Sequence, residues 1–320
     1  MYKIKQSPED FIVKEITNIK IKDSGKYIIC LLKKTSYTTI RAIEQIAKAL
    51  NKKPKEIGFA GTKDRNAITE QYISIKNAKK KDVERIRVKD IEIKFVGYSD
   101  IPISLGDLKG NEFIITIKGL TNKEILSLKN RINKKIIMPN FFGEQRFSER
   151  NVEIGKSLIK SNFKEAIKII LDTNPDSKEG MVDFLENNQN NYVGALKLMP
   201  KRLLRLYVHA YQSYLWNKTL EEYIKKDKKN MLIPIVGFGT EIEDKEIEKA
   251  INKIMKKEKI TFRSFINRQF PELSSEGSLR DAFVKVEGIE IMDNGKDFVK
   301  IKFRLQKGSY ATVAVEFLLV

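Results

Sequence analysis

The chain has 320 residues, 61 Lys and Arg against 42 Asp and Glu, and a net charge of +19. An apolar fraction of 41% excludes a wholly disordered chain, and the length allows two domains, or one domain carrying an insertion. One cysteine and one histidine exclude a disulfide framework, a thiolate metal site and paired-histidine zinc motifs; any Ser-His-Asp triad would depend on His209.

In chain order, "DFIVKEI" (10–16) and "KYIICLLKK" (26–34) predict strands. "TTIRAIEQIAKALN" then places Ile40, Ile43, Ile46, Ala47 and Leu50 on one helical face, with Thr38 or Thr39 as N-cap and Asn51 at the end. Strands follow at "EQYISIK" (70–76), "IEIKFVGYS" (91–99) and "NEFIITIKG" (111–119). "TNKEILSLKNRINKKI" predicts a helix opened by a Thr121–Glu124 capping box. From about 150 to 225 the pattern is helical. A helix after Pro200 carries Leu203, Leu206, Tyr207, Val208, Tyr211, Leu215 and Trp216 around nearly all its sides and is expected to be buried. "MLIPIVGFGTEI" (231–242) predicts β structure and "EKAINKIMKKEKI" a basic helix, and "DFVKIKFRLQKGSYATVAVEFLL" predicts a return to long strands. Strand-rich ends around a helical middle suggest a sheet domain in two parts, 1–165 and 285–320, around an insertion at 166–284.

The N-terminus "MYKIKQSPEDF" is charged and lacks a signal-type apolar core, and no run approaches a membrane span, so a cytoplasmic location is expected. Heat adaptation also enriches Lys and Glu, but it adds both signs of charge. The excess of cations points instead to a polyanionic partner. Two basic clusters suit RNA: Lys197, Lys201, Arg202 and Arg205, and the segment 251–270, in which six cations interleave with Phe262, Phe265 and Phe270.

Three islands carry candidate chemistry. "KEIGFAGTKDRNAITEQYISI" (55–75) sets Lys63, Asp64 and Arg65 in a loop between two apolar runs. It fails the P-loop spacing, and its "GFAG" has apolar residues where an RNA-clamping G-x-x-G loop wants solvated ones. In an extended loop neighbouring side chains alternate faces, which sends Asp64 one way and Lys63 and Arg65 the other. By residue type alone Asp64 is a turn former, a metal ligand or a nucleophile. A metal would need further acids, such as Glu272 and Glu276, to join it. "MPNFFGEQRFSER" (138–150) mixes aromatic, amide and guanidinium groups, as a splayed-out base requires. "KGSYATVAVEFLL" interrupts a strand pattern at Gly308 and Ser309, with Tyr310 at the expected bend.

In this order, and joined by "SPEDFIVKEI" near the start and "LYVHAYQSYLWN" in the middle, these islands resemble the TruD family of tRNA pseudouridine synthases. The resemblance implies an α+β fold: a pseudouridine synthase core with a curved, largely antiparallel mixed sheet, plus an inserted α+β domain. It implies that Asp64, in "GTKDR", is the catalytic aspartate. It sets Asn140, in "PNFFG", beside the target nucleotide and makes Phe142 the aromatic that stacks on the uracil. Phe11 and Tyr310 match further substrate-contacting aromatics, and Lys5 a basic residue near the site. The implied activity is isomerisation of the uridine at position 13 of tRNA, with tRNA as partner; a monomer is the default expectation, apart from the resemblance. Pseudouridine formation breaks N1–C1′ and joins C5 to C1′ without redox change or external energy, so neither a cofactor nor a metal is expected. A non-catalytic RNA-binding protein on the same scaffold is the alternative.

Overall fold

The computed structural model describes residues 2–147, 150–173, 178–226 and 229–319. The chain divides into two compact units, Met1–Met138 with Val284–Val320, and Pro139–Phe283. In sequence, the second unit interrupts the first. The division thus falls after Met138 rather than near 165, because the helix at Asn151–Ile159 packs on the long helix at Lys201–Ile224.

In chain order the first unit holds β1 (Phe11–Ile16), β2 (Tyr27–Thr35), α1 (Thr39–Ala49), β3 (Ile57–Phe59) and β4 (Ile68–Lys76). It continues with α2 (Lys80–Glu84), β5 (Ile91–Ser99), β6 (Gly110–Lys118), α3 (Asn122–Ile132) and β7 (Ile136–Pro139). The second unit carries α4 (Asn151–Ile159), α5 (Phe163–Thr173), α6 (Lys178–Asn187), α7 (Tyr192–Lys197) and α8 (Lys201–Ile224). It ends with β8 (Leu232–Ile235), α9 (Lys245–Glu258) and β9 (Ser278–Asp281). The chain closes with β10 (Phe283–Asn294), β11 (Phe298–Gln306) and α10 (Ala311–Leu319).

The large sheet runs β5-β2-β4-β1-β6-β11-β10-β7, with β3 also paired to β4. Only β1 and β4 pair in parallel among the registers described; the others are antiparallel, so the sheet is mixed and mostly antiparallel. β4 is central to the site. One edge pairs with β2 along its whole length; the other meets β1 at residues 68–70 and β3 at 73–75. The gap between β3 and β4 in the chain is the 60–67 loop.

Alternation builds the core as expected for strands with covered faces. Phe11, Val13, Ile115 and Phe303 pack against Ile125 and Leu128 of α3 and Ala314 and Leu318 of α10. Ile28, Cys30, Leu32, Ile73 and Ile75 pack against Ile43 and Ile46 of α1. Each such aliphatic side chain taken from water contributes about 1.5–3 kcal/mol. Thr38 caps α1 through Arg41 N, and the Thr121–Glu124 capping box opens α3. In the second unit, α4, α5, α8 and α9 enclose a core around Tyr211, Trp216, Phe265 and Phe270, beside the two-stranded sheet β8-β9.

Four expectations are corrected. Residues 311–319 are a helix, because Ala311, Ala314, Val315 and Leu318 recur at helical spacing and bury together. The β structure near 231–242 is limited to Leu232–Ile235, since a turn follows in which Gly237 N donates to Thr240 Oγ1 and Gly239 adopts φ +68°. Leu206 lies on an exposed side of α8. Phe265 and Phe270 are buried core residues rather than aromatics open to RNA.

Candidate active site

The first half of the loop after β3 is held by side chains from several elements. Gln71 of β4 donates to Gly61 O at 3.1 Å and accepts from the hydroxyl of Thr39 of α1 at 2.8 Å. That hydroxyl also accepts from Lys63 N at 2.9 Å. Lys63 turns inward: Nζ donates to Asn111 Oδ1 of β6 at 2.7 Å and lies 2.9 Å from Glu15 Oε2 of β1, an ion pair outside hydrogen-bond direction. Alternation then sends the next side chain outward, and Asp64 keeps 39% of its side chain exposed. Lys63 is therefore a structural cation, but Arg65 does not share its inward face as expected: it is exposed, because the chain bends at 65–67, where Ala67 N donates to Arg65 O.

Lys5 and Phe11 join Asp64. The Lys5 ammonium donates to Asp64 Oδ2 at 2.6 Å and sits 4.1 Å from the centre of the Phe11 ring. Lys5 has φ 60°, a left-handed conformation that costs a residue with a Cβ on the order of 1 kcal/mol and tends to persist at functional sites. The segment is pinned on both sides, by the Lys3–Lys118 bridge and by Ser7 N donating to Asp10 Oδ2. From below, Lys34 of β2, fully buried, donates to Asp64 O at 3.0 Å. Tyr310 belongs to the same unit but not to a strand bend. It is half-buried at the start of α10, where its carbonyl accepts from Ala314 N. The turn before it leans on the loop after β5: Lys307 N donates to Lys109 O, and Gly106 N of that loop donates to Ala60 O.

The second unit gathers Asn140 and Phe142. Asn140 is 2% exposed, and its polar groups are engaged around β9. Its amide donates to Asp281 O at 3.1 Å, its backbone N to Ala282 O at 2.9 Å, and its two oxygens accept from Arg280 at 2.8 Å each. Asn140 thus acts as a strut for the chain that leads to Phe142. Asn217 of α8 holds Phe142 by both backbone groups, accepting from its N at 2.9 Å and donating to its O at 3.0 Å. The Phe142 ring meets Trp216 edge-on, with centroids 5.5 Å apart and an 88° interplanar angle, and the Arg280 guanidinium lies 4.1 Å from its centre.

Composition and spacing alone do not single out Lys34, Gln71, Asn111, Asn217 or Arg280. Lys34 has one legible signal, since it continues the inward phase of Cys30 and Leu32. Among the described residues, no group of three or more His, Cys, Asp or Glu gathers where a metal ion is held, and Glu272 instead pairs with Lys201 at 2.9 Å. His209 sits on an exposed side of α8.

A family model described as tRNA pseudouridine synthase D (TruD) matches residues 2–180, 171–230 and 221–316. The chain belongs to the TruD family. TruD relatives align over nearly the whole chain. A probable tRNA pseudouridine synthase D of Methanosarcina acetivorans is 32% identical over 98% of this chain and 91% of its own. One from Aquifex aeolicus is 30% identical over 97% and 96%. The crystal structure of a TruD protein from Methanosarcina mazei superimposes with a TM-score of 0.72 at 28% identity, over 99% of this chain and 93% of that one. The mixed sheet is accordingly the TruD version of the pseudouridine synthase fold, and membership makes the protein an isomerase. Among the described residues no helix is long and apolar enough to cross a membrane.

Proposed function

We propose that the protein isomerises a uridine of tRNA, at position 13, to pseudouridine, and that Asp64 is the carboxylate that acts on the nucleotide. The observation carrying this reading is a partly exposed carboxylate on a rigidly held loop, paired to Lys5 at 2.6 Å. Breaking N1–C1′, turning the uracil and joining C5 to C1′ moves one proton from C5 to N1, so atoms and electrons balance without a co-reactant. An oxygen nucleophile or base assists by attack at C1′, by addition to C6 or by taking the C2′ proton. Each route requires an oxygen held still and open to the nucleotide. Lys5 keeps the carboxylate from swinging, and Phe11 beneath the ammonium keeps Lys5 in place. In this reading Phe142 stacks on the uracil, a contribution of about 1–3 kcal/mol per base.

Asp64→Asn tests the reading, because the amide keeps the shape and loses the charge. tRNA transcripts treated with each protein are mapped for pseudouridine. The variant is expected to bind tRNA and leave it unmodified; modification at the wild-type rate overturns the assignment.

A further inference from the structure

β2 carries a charge where its pattern demands an apolar side chain. Cys30 and Leu32 point into the core, and the next residue in that phase, Lys34, is fully buried. Its Nζ donates to Asp64 O at 3.0 Å and to the carbonyl of Tyr37. Taking an ammonium out of water is costly, and apolar replacements of buried charges are often neutral or stabilising. Fold stability alone is therefore a weak reason for a lysine here. The hydrogen bonds around the loop sharpen the point. The relay through Thr39 and Gln71 grips Gly61 and Lys63 and stops there, and the carbonyl of Asp64 itself is carried by Lys34.

We infer that Lys34 is a positioning residue for the isomerisation: its buried ammonium carries the Asp64 peptide and so fixes where the carboxylate projects. This rests on Asp64 being the reacting carboxylate. The charges facing Lys34 are the Asp64 carboxylate, which favours its protonated form, and Lys63, which opposes it. Its strand partners, Thr69 on β4 and Ile91 on β5, carry no charge. Burial outweighs both and pulls the ammonium down to about 8. When the proton leaves, two charge-assisted hydrogen bonds fall to roughly half their strength, and the Asp64 peptide loosens.

The test is the single-turnover rate on saturating tRNA against pH, for wild type, Lys34→Met, Lys34→Arg and Asp64→Asn. The wild-type rate is expected to fall as pH rises through about 8. Lys34→Met should be slower by on the order of 10²-fold, with tRNA affinity within about twofold and no fall in that range. Lys34→Arg, charged throughout, should stay level. A merely structural lysine would change the melting temperature and leave the pH profile as it was. Lys34→Met at the wild-type rate overturns the inference, as does an alkaline fall shared by wild type and both Lys34 variants. Should the variants not fold, the wild type decides alone: a rate level from about pH 7 to about 9.5 overturns the inference, and a fall matching the titration of one ¹³C-labelled lysine supports it. An active Asp64→Asn sinks the underlying assignment instead, whatever Lys34 does. An inactive Asp64→Asn beside an unimpaired Lys34→Met sinks this inference only.

Discussion

Arg280 binds both oxygens of Asn140 and lies over the rings of Phe142 and Trp216, at 4.1 Å and 5.2 Å from their centres. Only a planar fork can stack and hydrogen-bond in this way, so lysine is not a conservative replacement. Arg280→Lys is expected to lower the turnover of tRNA about tenfold or more while changing KM little, because the Phe142 segment loses its clamp and the phosphate contacts elsewhere remain. Steady-state kinetics decide the matter. An unchanged kcat with a raised KM would make Arg280 a tRNA contact and not a clamp. This scale is also where the sequence is least transparent. Asp64 stands in a conspicuous short loop and can be picked out before folding, whereas Lys5 and Phe11 are reached only through the family resemblance. Arg280 meets Asn140 across 140 positions and lies in "GSLRDAF", which has no distinctive spacing. Lys34 is hidden differently, because a lysine near the end of a strand reads as solvated unless the inward phase is followed to it.

Helix crossing fixes the second unit. α4 and α8 approach so closely that a Cβ added at Gly155 would lie 2.0 Å from Tyr207 O and 2.9 Å from Tyr211 Cβ. Backbone cannot yield there, so Gly155→Ala is expected to destabilise the unit by about 1–3 kcal/mol, against the usual preference of helices for alanine. Gly180→Ala in α6 is the control: among the described residues nothing beyond the helix's own backbone lies within 4 Å of its added Cβ, and it should be neutral or slightly stabilising. Thermal unfolding of both variants compares them directly, and equal melting temperatures would mean that α4 can slide on α8 without loss. At this scale the sequence is more legible. Capping residues and alternation locate α1, α3 and the strands β1, β2, β4, β5, β6 and β11, because those signals are local, whereas β7 and the long β10 are not among the expected strands. What fails is the choice between β-branched strand and packed helix. "ATVAVEFLL" has the composition of a strand, yet Gly308 at φ +82° ends β11, and burial against the sheet favours the helical spacing. The 150–173 stretch reads as one helical pattern and is broken at Ser161, held at φ 56°.

Over the whole molecule the net charge of +19 makes binding to a polyanion steeply dependent on salt. Not every cation contributes, and α9 and its surroundings show why. Lys226 and Lys249 both pair with Glu246, and Lys225 and Lys253 both pair with Glu222, at 2.7–3.1 Å. Those cations already have counter-charges, and removing them exposes carboxylates. Lys256, Lys257 and Lys259, at the exposed end of α9, have no acidic partner among the described residues and are free to displace counterions from phosphates. A triple and a double variant therefore separate binding charge from structural charge. Lys256→Ala with Lys257→Ala and Lys259→Ala should weaken tRNA binding and flatten the log–log salt dependence by about one unit for each phosphate that is no longer neutralised, with turnover at saturation unchanged. Lys249→Ala with Lys253→Ala should leave that slope nearly as in wild type, because the ion pairs and not the RNA hold those ammonium groups. Titrating labelled tRNA at several salt concentrations reads both slopes. Identical slopes for wild type and the triple variant would mean that tRNA binds without touching α9, and the search for its footprint would move to the exposed lysines of the first unit.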